Sequence, residues 1–126
     1  MIRLIILLPA KEWSSEIECD LRQDMLETCS YEALSYVWGS AQDTVPIHIN
    51  KKTFDITRNL EGALREFRLG DRPLALWVDA ICINQRDNDE KSKQIQLMGK
   101  IYKYAKRVLV WLGPESNSVG KAFRFI

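Results

Sequence analysis

Near its midpoint the chain changes rhythm, from short apolar runs spaced as strands to stripes spaced as helices. Arg3 to Leu8 is almost wholly apolar and stops at Pro9, while Glu16 to Leu21 alternates charged and apolar residues, the period of a strand with one wet face. These two are predicted to pair as a hairpin, with residues 11–15 as its loop. Tyr31 to Trp38 is nearly continuous in apolar residues, which suits a strand buried on both faces, and it ends at Gly39-Ser40. Val45 to Ile49 and Thr53 to Ile56 flank Asn50-Lys51-Lys52 and predict a second hairpin.

Beyond it, Leu60, Ala63, Leu64 and Phe67 recur at i, i+3, i+4, i+7, the stripe of an amphipathic helix that Asn59 caps and Gly70 ends. Leu74 to Ile81 reads as another buried strand. Asp87 and Glu90 have the spacing of a capping box at the start of a helix whose stripe is Ile95, Met98, Ile101, Tyr102 and Ala105. Lys103, Lys106 and Arg107 lie at its end, where they complement the helix dipole. Arg107 to Leu112 is a third buried strand, closed by Gly113-Pro114, and residues 116–126 begin a further helix. Apolar strands alternating with amphipathic helices predict an α/β fold, a parallel sheet flanked by helices with the N-terminal hairpin added to it. Ligands in such sheets bind outside the carboxyl ends of the strands, here Trp38-Gly39-Ser40, Asp79 to Gln85 and Gly113 to Glu115.

The length of 126 residues is that of a single domain, and 46% apolar residues supply its core. Eighteen basic against seventeen acidic side chains give a net charge of +1, which offers no footprint for nucleic acid. With no run of like charge, docking on a membrane through basic residues has little support. Cys19, Cys29 and Cys82 stand at unrelated spacings beside the single His48, so a structural zinc site lacks its paired ligands. Three reduced thiols fit a reducing compartment. The opening apolar run is too short to span a membrane and lacks a cleavage site, so no span is expected and the location is read as cytoplasmic.

Asp79 is the most informative single residue, because a charge in a buried strand needs partners. It is open between a carboxylate that fixes the following loop and a direct ligand contact. The loop Asn84-Gln85-Arg86-Asp87 is dense in hydrogen-bonding groups, and Trp38 beside Gly39 is placed either to stack on a ring or to pack. For a Cys–His nucleophile the candidate is Cys82 with His48, and nothing in their spacing brings them together. Neither G-x-S-x-G nor G-x-G-x-x-G occurs, so hydrolase and dinucleotide-dehydrogenase readings lack their signatures.

Two blocks carry a resemblance. Tyr31-Glu32-Ala33-Leu34-Ser35-Tyr36-Val37-Trp38-Gly39 resembles the opening motif of the fungal heterokaryon-incompatibility (HET) family. The block from Leu76 to Gln85, with Asp87, Glu90, Gln94, Met98, Ile101, Tyr102 and Val110 to Gly113, resembles its central motif, and Thr57 to Leu60 the segment between. The resemblance implies a non-self-recognition effector that triggers programmed cell death. It also implies distant similarity to the Toll/interleukin-1 receptor (TIR) fold, a flavodoxin-like sheet.

Some TIR domains cleave NAD at the nicotinamide–ribose bond with a glutamate on the helix after the third strand, and others only assemble. By that similarity Glu115 and Asp79 are the candidate catalytic carboxylates, and Trp38, Gly39, Ser40, Asn84 and Gln85 the candidate ligand contacts. Glu115 precedes the predicted helix, and residues 116–126 hold no carboxylate, so the choice between them stays open. Two readings follow, a signalling module that self-associates or binds a protein partner, and an NAD glycohydrolase. No cofactor is expected, NAD entering only as substrate. HET domains usually extend further, so the chain is expected to be a short form, a truncation or part of a longer protein.

Overall fold

Ile2, Leu4, Ile5 and Leu7 are each 2% exposed or less, so the opening apolar run is an interior strand. The computed structural model describes residues 2–37, 39–40, 42–83, 87–113 and 122–125, the last four as backbone alone. In chain order the elements are β1 (Ile2–Leu7), β2 (Glu18–Asp24), β3 (Glu32–Tyr36), β4 (Thr44–Ile49), β5 (Lys52–Thr57), α1 (Arg58–Phe67), β6 (Leu74–Trp77), α2 (Asp79–Cys82), α3 (Asn88–Tyr104), β7 (Val108–Trp111) and β8 (Ala122–Phe125). Among the described residues the strands form one sheet, ordered β5-β4-β2-β1-β6-β3-β7-β8.

The fold is α/β, but the sheet is mixed and not the parallel, flavodoxin-like sheet expected. β6, β3 and β7 run parallel as a three-stranded core. β1 pairs antiparallel with both β2 and β6, and β4–β5 and β7–β8 are antiparallel, while β2 meets β4 in parallel. Nor is the N-terminal hairpin a marginal addition, since β1 lies between β2 and β6. Hydrophobic rhythm identifies a strand but not its neighbours. A run as apolar as β1 is best served where both its edges and both its faces are covered.

Two elements differ in type. Leu74 to Ile81 is not one strand. β6 stops at Trp77, and the Val78 carbonyl accepts from the N–H groups of Ile81 (3.1 Å) and Cys82 (2.7 Å), which winds the chain into α2. A short buried helical turn and a buried strand have the same apolar signature. The helix predicted over 116–126 is a strand where it is described, with Ala122 to Phe125 pairing against β7 from Trp111↔Ala122 to Val108↔Phe125. The rest of that predicted helix lies outside the described residues.

Caps and turns follow local chemistry. Thr57, and not Asn59, caps α1, its Oγ1 accepting from Leu60 N at 3.2 Å, and the helix ends at Phe67, before Gly70. Asp87 caps α3 as expected, accepting from Asp89 and Glu90 N–H groups at 3.1 Å each. Asn50 and Lys51 take positive φ (51° and 67°) in the two-residue turn of the β4–β5 hairpin, and Asn50 Oδ1 accepts from Leu21 N of β2 at 2.9 Å.

Register fixes which face each helix covers. Trp77 pairs with Ala33, and Trp111 with Tyr36. Paired residues share a face and successive residues alternate, so two tryptophans whose partners are three residues apart lie on opposite faces. Trp77 packs edge-on against Tyr102 of α3 at 5.8 Å. Gly62 of α1 lies against Trp111 so closely that a Cβ there would sit 2.9 Å from Trp111 Cζ2. α1 and α3 therefore cover opposite faces of the parallel core.

Candidate functional site

At the carboxyl ends of β3 and β6 the first half of the chain is stitched to α1. Asn59 Nδ2 donates to the Val37 carbonyl (3.1 Å), and Arg58 donates to Asp43 through its backbone N–H (2.9 Å) and its Nε (3.0 Å). Gly39 leaves β3 with φ +68°, and a Cβ there would come within 2.5 Å of Asn59 Nδ2, so both conformation and space call for glycine. The Ser40 hydroxyl accepts from Gln42 N at 3.2 Å, which closes the turn toward β4.

Beside this stitching stands one carboxylate, Asp79, whose charge reaches the hydroxyls of Tyr36 and Tyr102. Tyr36 ends β3, is buried, and shares a side-chain hydrogen bond with Thr57. Asp79 opens α2 and is half-buried. Desolvation pushes its carboxyl above the usual carboxylate range, opposed by the backbone N–H groups of Ala80 and Asp79 itself. Burial raises the phenols of Tyr36 and Tyr102, and the Asp79 charge raises both further. Both therefore stay protonated at neutral pH beside a carboxylate. Such a group can brace the α2 turn, or accept hydrogen bonds from the hydroxyls of a ligand.

Arg3 ties β1 into the same end of the sheet. Its guanidinium forks onto the Glu90 carboxylate of α3 and donates to the Cys82 carbonyl at 3.3 Å. Glu90, expected to reach back to its own helix cap, is thus engaged with a residue 87 positions earlier. On the outer side, Val37 and Leu112 directly follow the paired residues Tyr36 and Trp111, and they stand 46% and 47% exposed.

Of the residues singled out from sequence, Asp79, Gly39 and Ser40 are brought to this end, while Trp38, Asn84, Gln85 and Glu115 lie outside the described residues. Cys82 and His48 are not brought together. The Cys82 thiol is fully buried, accepts from Val78 N at 3.3 Å and is pushed up to about 12, so it carries no thiolate. His48 faces Glu16 at 3.2 Å. All three cysteines are free, and among the described residues no cluster of three or more possible metal ligands occurs. No described helix is long and apolar enough to cross a membrane. Sequence reasoning missed Tyr36 and Thr57. Tyr36 sits within the first motif, but a strand tyrosine reads as core, and its one signal is its place as the last residue before the strand's end.

Fold and site define an α/β domain with a mixed sheet, in which Gly39 and Asp79 of the two motif blocks lie at the carboxyl ends of a short parallel core. The chain belongs to the heterokaryon incompatibility protein (HET) family, whose model matches residues 31–126. It is similar to heterokaryon incompatibility protein 6, OR allele, of Neurospora crassa, 40% identical over 135 residues. That match covers 94% of this chain and 20% of the relative, so the chain spans about a fifth of the relative's length. No solved structure matches.

Proposed function

We propose that the chain is the signalling domain of an incompatibility protein, triggering programmed cell death by assembling with itself or with a protein partner. The observation that carries this reading is the pair Val37 and Leu112, which directly follow the paired last residues of β3 and β7 and are both about half exposed. Neighbouring exposed apolar side chains favour association over isolated display in water. Three free thiols support a reducing compartment, the cytoplasm. The test is Val37→Asp with Leu112→Asp in the full chain, expressed in a fungal host. The double variant is expected to melt normally, to stay monomeric by light scattering and to lose killing. Undiminished killing by a monomeric, folded variant would overturn the assembly reading.

A second reading, NAD glycohydrolase, is favoured by Asp79, a half-buried carboxylate that opens α2 directly after the carboxyl end of β6. The parallel β6-β3-β7 core with helices on both faces supports a TIR-like kinship limited to that core. In that chemistry the nicotinamide–ribose bond breaks through an oxocarbenium-like state, nicotinamide leaves, and water adds to the ribose carbon. Asp79 or Glu115 would stabilise the positive charge, with Trp38, Gly39, Ser40, Asn84 and Gln85 contacting the nucleotide. Nicotinamide release by the parent that disappears in folded Asp79→Ala or Glu115→Ala would establish this reading, and no release at assembling concentration would remove it.

A further inference from the structure

At the opposite end of the parallel core, the amino ends of β3, β6 and β7 border a half-open cleft of about 230 Å³. Its wall includes Ser30, Glu32, Leu69, Arg72, Lys106 and Arg107. We propose that this cleft binds the phosphoryl group of a small phosphorylated ligand. The inference is independent of the signalling and glycohydrolase readings, which concern the other end of the sheet.

The floor is a cross-strand ion pair. Glu32, 5% exposed, is the one buried charged residue among those described, and Arg107 Nε lies 2.6 Å from its Oε1. This ion-pair contact, which lacks hydrogen-bond geometry, sets the guanidinium against the carboxylate at its Nε. A guanidinium has five N–H donors in a fixed fork, so the two Nη groups of Arg107 stay available to a second acceptor. The side chain lines the cleft and is 29% exposed.

Two further cations line the cleft from separate connecting segments. Lys106 is exposed in the turn before β7. Arg72, in the connection from α1 to β6, has only a loose contact with Asp71 at 3.7 Å. Lys106 also follows the carboxyl end of α3 and complements its dipole, an attraction that is weak at an exposed site. Three cations thus line a cleft whose one lining carboxylate, Glu32, is paired with Arg107, in a protein whose whole formal charge is +1. A tetrahedral dianion answers that excess and matches the planar Arg107 fork with two oxygens. The cleft is smaller than the ~300–1,000 Å³ that drug-sized ligands occupy, so it takes a compact group and not a whole dinucleotide.

The full chain is titrated at low ionic strength with inorganic phosphate, ribose 5-phosphate and ribose, followed by calorimetry and by backbone amide NMR. Saturable one-to-one binding of the phosphorylated probes is expected, with shifts around Ser30, Arg72 and Lys106 and none with ribose. Arg72→Glu with Lys106→Glu is expected to weaken binding by about tenfold or more, as loss of charge-assisted contacts does. Both changes are on exposed side chains, and Arg72→Gln with Lys106→Gln serves if the reversed pair misfolds. Binding of inorganic phosphate alone would keep the phosphoryl site and remove the ester. Absence of saturable binding at millimolar phosphate, shifts confined to other surfaces, or equal affinity in the folded variants would each overturn the proposal.

Discussion

α1 and α3 cover opposite faces of the same three parallel strands, yet the shorter helix does most of the burying. In ten residues α1 places Leu60, Ala63 and Leu64 at 0% exposure and lays Gly62 on Trp111. In seventeen, α3 buries Ile101 alone, leaving Ile95 51% exposed and Gly99 with open space where a Cβ would be. α3 is held instead by particular contacts: Tyr102 on Trp77, the Tyr31 hydroxyl donating to the Ile101 carbonyl, and Glu90 on Arg3. The difference separates a helix fixed by continuous packing from one pinned at points, whose outer surface is left for other uses.

The largest effect that sharpens this contrast is expected at Leu64. Leu64→Ala removes a fully buried side chain between α1 and the sheet and should cost about 2–5 kcal/mol in chemical denaturation. A loss under about 1 kcal/mol would mean that α1 packs loosely and that the contrast with α3 is not real.

The two mid-helix glycines give a sharper comparison, because the same substitution should act with opposite sign. Glycine to alanine gains about 1 kcal/mol of helix propensity in either helix. At Gly62 the new methyl meets the buried Trp111 ring at 2.9 Å, and overpacking of about 1–3 kcal/mol outweighs the gain. At Gly99 nothing lies within 4 Å, so the gain remains, about 0.5–1 kcal/mol of added stability. Thermal melts of the two single variants, moving down for Gly62→Ala and up for Gly99→Ala, check both arms. Ile95→Lys should change stability by less than about 0.5 kcal/mol, because its side chain is half in water.

The same contrast explains what was legible in the sequence. The stripe Leu60, Ala63, Leu64 was readable because α1 buries a full face, and the residues around β1, β3 and β7 were readable because their apolar runs are long enough to exceed any turn. In α3, Ile95 fits the helical stripe but lies at its edge, where rhythm cannot tell a covered position from an open one. Partners distant in sequence were illegible: Arg3 with Glu90, Tyr36 with Thr57, and β1 with β6 are decided by tertiary packing. For the same reason the sheet read as parallel. Its three inner strands are parallel, but the flanking pairs need contacts that no local pattern encodes. In the site, Asp79 stood out because a carboxylate amid apolar residues is rare, whereas a tyrosine there is ordinary.

The smallest effect bears on that carboxylate, at the end of the core where both helices and the α2 turn converge. Burial holds native Asp79 above its ordinary value of 3.8, so the folded state binds this proton more tightly than the unfolded chain does. The resulting stabilisation is fully present below 3.8 and is lost as pH rises from there through the raised native value. Asp79→Asn removes the titration while retaining an oxygen that accepts from the Ala80 N–H. Its stability relative to the parent should therefore improve as pH rises through that window and stay level above it. Backbone N–H groups that favour the charged form oppose the desolvation, which keeps the effect small. Denaturation of both proteins across the acid range measures the difference directly. A pH-independent difference would place the carboxylate in water, and would remove its burial as a reason to single out this end of the sheet.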